Sequence, residues 1–136
     1  MNGNRLDKKR LIEVATGRKR AELVLKNARI VNVYTREVVD GSLAVDHGYI
    51  AGIGAYEGQE EHDLGGRYLL PGLIDSHVHI ESSLLSPEQF ARLVVPHGTT
   101  SVIADPHEIA NVAGLEGIRY MIETSRELPL DVYFML

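Results

Sequence analysis

The sequence contains no cysteine and no tryptophan, and only 6% of its 136 residues are aromatic. Without cysteine there is no disulfide framework and no thiolate metal site, so a bound metal ion must be held by nitrogen and oxygen ligands. No apolar run approaches the roughly 20 residues of a membrane-spanning helix. The charged N-terminus also lacks the apolar core of a secretory signal. We therefore expect a cytoplasmic protein with no membrane partner.

A basic surface is missing as well, because the formal net charge is -5. A nucleic-acid-binding domain usually shows a basic patch. The run of basic residues at 18–20, Arg-Lys-Arg, is short and isolated, which is typical of a solvated linker. We expect no nucleic-acid partner. Hydrophobic residues make up 44% of the chain, which is enough for the core of one ordinary domain.

The residue pattern divides the chain into three segments, at 1–20, 21–70 and 71–136. In the first segment apolar residues recur among charges at a loosely helical spacing, which predicts an N-terminal helical extension ending at Gly17. In the second, short β-branched runs alternate with turn residues, which predicts a small antiparallel β unit. We expect its strands at 23–25, 29–34, 38–39, 43–45 and 49–53, and turns at 27–28, 40–41, 47–48 and 65–66.

Strand-like and helical patterns alternate from residue 69 onward. Ser86 is a good N-cap, Pro87 suits the first helical position, and Gln89 completes a capping box. The order is β-α-β-α-β with strands about 30 residues apart, which predicts parallel strands buried on both faces. The fold class is therefore α/β, either an open doubly wound sheet or a closed barrel. We expect strands at 69–80, 99–104 and 130–136, and helices at 87–97 and 114–127.

The first of these strands ends in side chains that can bind metal. Strand side chains alternate between faces, so Asp75, His77 and His79 are predicted to share one face. Two imidazoles on one face can hold a divalent metal ion, and such an ion activates water near neutral pH. We predict His77 and His79 as metal ligands rather than as histidines of a polar turn. Glu81 and Ser82 follow in the same loop and are candidates for the surrounding pocket.

The second strand ends in another polar group, formed by Asp105, His107 and Glu108. Ionisable groups clustered at the carboxyl end of a strand indicate function more than packing. From the residues alone, these three side chains are predicted to orient a substrate, to bind a further metal ion, or to orient the metal ligands without binding the metal themselves. The remaining histidines are expected to be surface or structural residues: His47, His62 and His97.

The chain ends in an apolar, strand-like run at 130–136, Leu-Asp-Val-Tyr-Phe-Met-Leu. Natural domains seldom end inside a core strand, because the open edge would expose apolar surface. We expect the sequence to be the N-terminal piece of a longer protein. We also expect the piece alone to be unstable or to self-associate.

The stretch at 71–79, Pro-Gly-Leu-Ile-Asp-Ser-His-Val-His, follows a β-rich lead-in and resembles the amidohydrolase superfamily of metal-dependent hydrolases. Its extension to residue 87, His-Ile-Glu-Ser-Ser-Leu-Leu-Ser-Pro, is similar to the adenine deaminases within that superfamily. The stretch at 103–112, Ile-Ala-Asp-Pro-His-Glu-Ile-Ala-Asn-Val, shares this similarity, and the ending fits the third barrel strand. The resemblance covers nearly the whole chain from about residue 21 and rests on two long motifs.

This resemblance implies a composite fold, in which a small β-sandwich is built from segments before and after a (β/α)8 barrel. It implies a binuclear centre of divalent metal, either manganese or iron, or else zinc, with His77 and His79 as ligands of the first ion. The other polar residues of the two strand ends would lie around the pocket. The implied reaction, in purine salvage, is hydrolytic deamination of adenine to hypoxanthine and ammonia by metal-activated hydroxide.

The resemblance also implies that the full-length enzyme is a homo-oligomer acting on a small molecule. In this family the main acid–base group and the remaining ligands follow the third strand, beyond residue 136. We therefore expect the piece alone to be inactive.

Two other interpretations stay open at this point. The chain could belong to another amidohydrolase that acts on cyclic amides, similar to dihydroorotase or hydantoinase. It could instead be a non-catalytic domain that reuses the fold. The motifs Glu-Ser-Ser at 81–83 and Asp-Pro-His-Glu at 105–108 favour the deaminase.

Overall fold

A computed structural model of the protein describes residues 7–135. The first six residues of the predicted N-terminal extension, and the last residue of the predicted third strand, lie outside the described part. The chain divides into two compact units, Met1–Pro71 and Gly72–Leu136. Among the described residues, no helix has both the length and the apolar character needed to cross a membrane.

From residue 7 onward, the first unit consists of one helix and five strands. Helix α1 spans Lys8–Ala15, and the side chain of Asp7 caps it by accepting a hydrogen bond from the backbone N–H of Arg10 at 3.1 Å. Gly17 follows with a φ of 71°, as expected for a residue that ends a helix. The strands are β1 Ala21–Asn32, β2 Glu37–Asp46, β3 Tyr49–Ile53, β4 Gly58–Asp63 and β5 Tyr68–Leu69.

All five strands form one mixed sheet in the order β3-β2-β1-β4, with β5 also paired to β1. The pairs β1–β2 and β2–β3 are antiparallel, whereas β4 and β5 run parallel to β1. The expected antiparallel unit is therefore wrong for β4 and β5. Strand β4 reads Gly-Gln-Glu-Glu-His-Asp, and all of its side chains after the glycine are exposed. A polar edge strand has no apolar alternation, so its sequence does not indicate a strand.

Two of the four predicted turns are wrong. Residues 27–28 lie inside β1, where a bulge rather than a turn accommodates Asn27 at a φ of 51°. Residues 40–41 lie inside β2 and pair with β1. The predicted turns at 47–48 and 65–66 are observed, and all four residues have positive φ.

The second unit is a three-stranded parallel sheet with crossover helices. Its strands β6, β7 and β8 are neighbours in sequence order, and both pairs are parallel. The predicted β-α-β-α-β order and the α/β fold class are confirmed. The elements are β6 Leu73–Val78, α2 Pro87–Val94, β7 Thr99–Ala104, α3 His107–Thr124 and β8 Asp131–Phe134, with short 3-10 turns at Glu81–Ser83 and Val95–His97.

Local signals account for α2 and β7. Ser86 accepts a hydrogen bond from the backbone N–H of Gln89 at 3.4 Å, and Pro87 is the first helical residue. The connection to β7 passes through Gly98 at a φ of 98°, a conformation that favours glycine. Strand β7 has the bounds that the sequence predicts.

Helix α3 begins earlier than predicted, at His107 rather than at Gly114. Gly114 instead lies at a kink within the helix, with a φ of 60° and a ψ of -148°, a conformation that is essentially confined to glycine. The apolar periodicity is clear only after this kink, which is why the sequence misses the first half. Consequently His107 and Glu108 belong to the first turn of a helix and not to a loop.

Packing in the second unit occurs mainly on one face of the sheet. Val102 and Ala104 of β7 are buried against the helices, in the cluster Ile80, Phe90, Ala91, Val102, Ala104, Met121 and Leu130. The expected burial of every strand on both faces is wrong for β6, where Leu73 is 53% and Ile74 is 69% exposed. Strand β6 is one of the two edge strands of this sheet, the other being β8, so it has only one strand neighbour. It is also shorter than the predicted 69–80.

Candidate metal centre

The loops after β6 and β7 lie side by side at the carboxyl ends of the two strands. The backbone N–H of Asp105 donates to the carbonyl of Val78 at 3.0 Å, which extends the contact of the strands into the loops. The 3-10 turn Glu81–Ser83 follows β6, and the first turn of α3 follows β7. The two groups of polar residues predicted from the sequence therefore meet at one edge of the sheet.

His77 and His79 direct the same ring nitrogen toward each other. Their Nε2 atoms lie 3.1 Å apart, and the rings meet edge to face with centroids 4.9 Å apart. Two nitrogens bound at roughly 2.0–2.1 Å to one ion, at angles between octahedral and tetrahedral, lie about 2.9–3.4 Å apart. The separation of the two Nε2 atoms thus fits a pair of ligands on one metal ion.

A second contact sets the tautomer of His79. Its Nδ1 lies 3.0 Å from the backbone carbonyl oxygen of Asp105. A carbonyl only accepts hydrogen bonds, so Nδ1 carries the proton and Nε2 keeps its lone pair. Histidine ligands of metal ions characteristically donate from their other ring nitrogen in this way.

Two overlapping sets of side chains have ligand atoms within 4.8 Å of one another. One set is His77, His79 and Asp105, and the other is His79, His107 and Glu108. His79 belongs to both. These five residues, called the His79 cluster below, offer only imidazole nitrogens and carboxylate oxygens, a donor set that suits zinc, iron or manganese. The residues present therefore fit a divalent metal ion.

Asp105 and His107 form an ion pair at the entrance to α3. His107 Nδ1 donates to Asp105 Oδ2 at 3.0 Å, and the backbone N–H of His107 donates to Asp105 Oδ1 at 3.3 Å. The side-chain hydrogen bond raises the pKa of His107 above its ordinary value and lowers the pKa of Asp105. The ring of His107 also meets that of His79 edge to face, with centroids 4.8 Å apart.

Glu81 and Ser82 contact the first turn of α3. Glu81 Oε1 accepts a hydrogen bond from the backbone N–H of Ile109 at 3.1 Å. The hydroxyl of Ser82 donates to the carboxylate of Glu108. The structure therefore brings all seven predicted site residues to the carboxyl ends of β6 and β7, in the last residues of β6, the turn after it, the loop after β7 and the first turn of α3.

Asp75 takes no part in the His79 cluster. Its carboxylate accepts a hydrogen bond from the backbone N–H of His77 at 3.1 Å. The pairing of β6 with β7 is irregular between Asp75 and Val78, and β6 ends at Val78. His79 therefore reaches the cluster through the turn that follows the strand. Of the three residues predicted to share one strand face, only His77 and His79 therefore join the cluster.

The first unit contains another histidine–carboxylate group, formed by Glu22, Asp46 and His47. Here the guanidinium of Arg10 donates to both oxygens of Asp46, at 2.8 and 2.9 Å. These four residues are called the Asp46 cluster below. Sequence reasoning treated His47 as a surface residue and missed the group. No short motif could reveal it, because Arg10 and Asp46 are 36 positions apart.

Comparison with known proteins identifies the family. A model of the amidohydrolase family matches residues 68–136, which is half of the chain. The chain belongs to the amidohydrolase family. The matched residues include β6, β7, β8 and both loops of the His79 cluster.

Curated amidohydrolase relatives match nearly the whole chain. It is 58% identical over 125 residues to proteins named adenine deaminase from Geobacillus kaustophilus and from Clostridium acetobutylicum, covering 92% of this chain and 22% of each relative. It is 58% identical over 128 residues to a protein named adenine deaminase 2 from Carboxydothermus hydrogenoformans, covering 94% of this chain and 22% of that protein. The chain therefore spans 22% of the length of these relatives.

Among solved structures, this chain is similar in fold to an N-acyl-D-glutamate deacylase from Bordetella bronchiseptica, crystallised with zinc and a phosphonate inhibitor. The TM-score is 0.54 at 24% identity, over 63% of this chain and 19% of that chain. At this identity the likeness shows the fold. It agrees with the prediction that the parallel β-α-β-α-β unit is the beginning of a barrel.

Proposed function

We propose that this chain contributes part of the metal centre of an adenine deaminase, which hydrolyses adenine to hypoxanthine and ammonia. The observation that carries the proposal is the pair of Nε2 atoms of His77 and His79, 3.1 Å apart. The names of the curated relatives, at 58% identity, support adenine as the substrate. Hydrolysis agrees with the family to which the chain belongs.

In this proposal His77 and His79 hold a divalent metal ion, and Asp105 keeps His79 in the tautomer that can bind it. The metal supplies an activated water near neutral pH. His107 and Glu108 lie beside the ligands, where they orient the substrate or contribute to a second ion. In a binuclear centre His107 and Glu108 would belong to the second ion, because His79 has only Nε2 available and would bind one ion. We propose manganese or iron as the metal, with zinc as the alternative.

The rest of the active site comes from chain that the relatives possess and this sequence does not contain. The match covers 22% of each relative, and we propose that the main acid–base group and the remaining ligands belong to the part that it does not cover. We therefore propose that the 136 residues alone are inactive. We also propose that the complete enzyme is a cytoplasmic homo-oligomer of purine salvage.

A chimera tests the function directly. The matching 125-residue segment of the Geobacillus kaustophilus relative is replaced by this chain, and the purified protein is assayed with added manganese or iron. We expect release of ammonia and hypoxanthine from adenine. A folded, metal-loaded chimera that leaves adenine unchanged while the unmodified relative converts it would contradict the proposal. Hydrolysis of dihydroorotate or hydantoin would favour a cyclic amidase, and a folded chimera without bound metal would favour a non-catalytic domain.

A further inference from the structure

Helix α3 begins without a cap from its own N-terminal residue. Pro106 occupies the cap position and makes no side-chain hydrogen bond to the helix, since proline has no side-chain acceptor. The first backbone N–H groups of a helix have no partner within the helix and need acceptors from elsewhere. These acceptors also matter for the candidate site, because the first turn of α3 carries His107 and Glu108.

Two carboxylates meet this need. Asp105 Oδ1 accepts from the N–H of His107 at 3.3 Å, and Glu81 Oε1 accepts from the N–H of Ile109 at 3.1 Å. Glu81 reaches the helix from the 3-10 turn after β6, 28 positions earlier in the chain. A carboxylate also interacts favourably with the positive end of the helix dipole. The hydroxyl of Ser82, next to Glu81, adds a second tie to Glu108.

Glu81 directs its carboxylate at α3. Among the described residues, none of the sets of potential metal ligands includes it. Its second oxygen, Oε2, is enclosed by protein and has no hydrogen-bond partner within residues 7–135. The side-chain hydrogen bond of Glu81 within these residues is therefore the one that Oε1 accepts from α3.

We propose that Glu81 is a positioning residue that caps α3 from the neighbouring loop and thereby holds His107 and Glu108 against His79. The rings of His107 and His79 are in contact, with centroids 4.8 Å apart. The position of α3 therefore also restricts the ring of His79, a predicted metal ligand. The effect of Glu81 on catalysis rests on the proposed function, whereas its effect on the order of the first turn of α3 does not. Residues that orient metal ligands indirectly typically contribute about 10–100-fold to metal affinity.

The test compares Glu81→Ala with Glu81→Gln in the chimera, with Glu116→Gln as the matched control. Glu116 is an exposed glutamate on the same helix that pairs with Arg119 at 3.0 Å. Three quantities are measured: amide hydrogen exchange of residues 107–113, affinity for manganese or zinc by titration, and kcat and KM for adenine.

We expect Glu81→Ala to speed amide exchange at Ile109 and to lower metal affinity about 10-fold. Glu81→Gln should stay within about three-fold of the parent protein in affinity and in kcat, since its amide oxygen still accepts the hydrogen bond. Glu116→Gln should match the parent. If Glu81→Gln is as damaging as Glu81→Ala while exchange stays slow, Glu81 has a chemical role and the proposal is wrong.

The readouts separate this proposal from the proposed function. If the chimera does not convert adenine but Glu81→Ala still loosens residues 107–113 and weakens metal binding, the function is wrong and the positioning role stands. If adenine is converted and Glu81→Ala changes neither exchange nor metal affinity, the positioning role is overturned alone.

Discussion

The Asp46 cluster and the His79 cluster use the same residue types for different purposes. Both contain histidine and carboxylate groups with ligand atoms within 4.8 Å of one another. In the Asp46 cluster a guanidinium occupies the centre. Arg10 donates to both oxygens of Asp46, which is only 2% exposed, and the N–H of Glu22 and the ring of His47 add further hydrogen bonds at 3.1 and 3.0 Å.

The His79 cluster contains no arginine or lysine, and its ion pair joins His107 Nδ1 to Asp105 Oδ2 at 3.0 Å. No lysine or arginine among residues 7–135 forms a salt bridge or hydrogen bond with its five members. Instead, the Nε2 atoms of His77 and His79 face each other. Proximity of ligand-type residues is therefore not sufficient for a metal site. What matters is whether lone pairs stay available or are already used by protein donors.

The largest expected effect is on metal affinity, which should depend on the His79 cluster and not on the Asp46 cluster. In the chimera, His77→Ala should lower metal affinity by more than about 1,000-fold, since each ligand carries several kcal/mol of the binding free energy. His47→Ala should leave metal content and affinity unchanged, because Arg10 already occupies both oxygens of Asp46. Metal content by mass spectrometry and affinity by calorimetric titration provide the measurement. Loss of metal in His47→Ala would show that the Asp46 cluster also binds metal and would contradict the distinction between the two clusters.

The second effect concerns stability. Asp46→Asn leaves the guanidinium of Arg10, which is 24% exposed, without its anionic partner. We expect a loss of about 2–4 kcal/mol, near the cost of breaking a buried ion pair. Native-state amide exchange of α1 and β2 measures the loss.

Glu57→Gln is the matched control for Asp46→Asn. It removes an ion pair with Arg20 at 3.0 Å in which both side chains are more than two-thirds exposed. An exposed pair of this kind contributes at most about 1 kcal/mol. Equal effects of the two substitutions would contradict the structural role assigned to Asp46.

The smallest effect is the pH dependence of the same ion pair. Burial raises the pKa of Asp46, but the hydrogen bonds from Arg10, His47 and the backbone of Glu22 outweigh it and hold the pKa below its ordinary value. The stabilisation is therefore complete above the unfolded-state pKa of about 3.9 and is lost as the pH falls through the lower folded-state pKa.

We accordingly expect the stability gap between the parent protein and Asp46→Asn to be constant from about pH 7 to pH 5 and to shrink below about pH 4. Amide exchange or acid titration followed by circular dichroism measures the gap. A gap that stays the same at about pH 3 would show that the charge of Asp46 does not stabilise the first unit.

Features that depend on neighbouring residues could be predicted from the sequence. The start of α2 at Pro87 follows from its Ser86 cap, and β7 follows from a β-branched run bounded by Gly98. Features without such local signals were missed. Strand β4 is polar because it lies at a sheet edge, and the first half of α3 lacks apolar periodicity.

The candidate site shows the same division. The spacing of His77 and His79 predicted two metal ligands, and the alternation of strands and helices predicted that Asp105, His107 and Glu108 would lie near them. That Asp75 is not part of the cluster could not be predicted, because the irregular pairing after Asp75 depends on β7. The role of Glu81 also depended on the position of α3.

The residue types present in the sequence limit the chemistry available to this protein. Without cysteine, any metal ion must be bound by nitrogen and oxygen, and the best ligands stand at the ends of two predicted strands. Which group keeps its lone pairs depends on contacts between residues that are far apart in the chain. The contacts that decide this join His79 to Asp105 across 26 positions and Arg10 to Asp46 across 36. Such contacts arise from the way strands and helices pack together, which no local pattern of residues encodes.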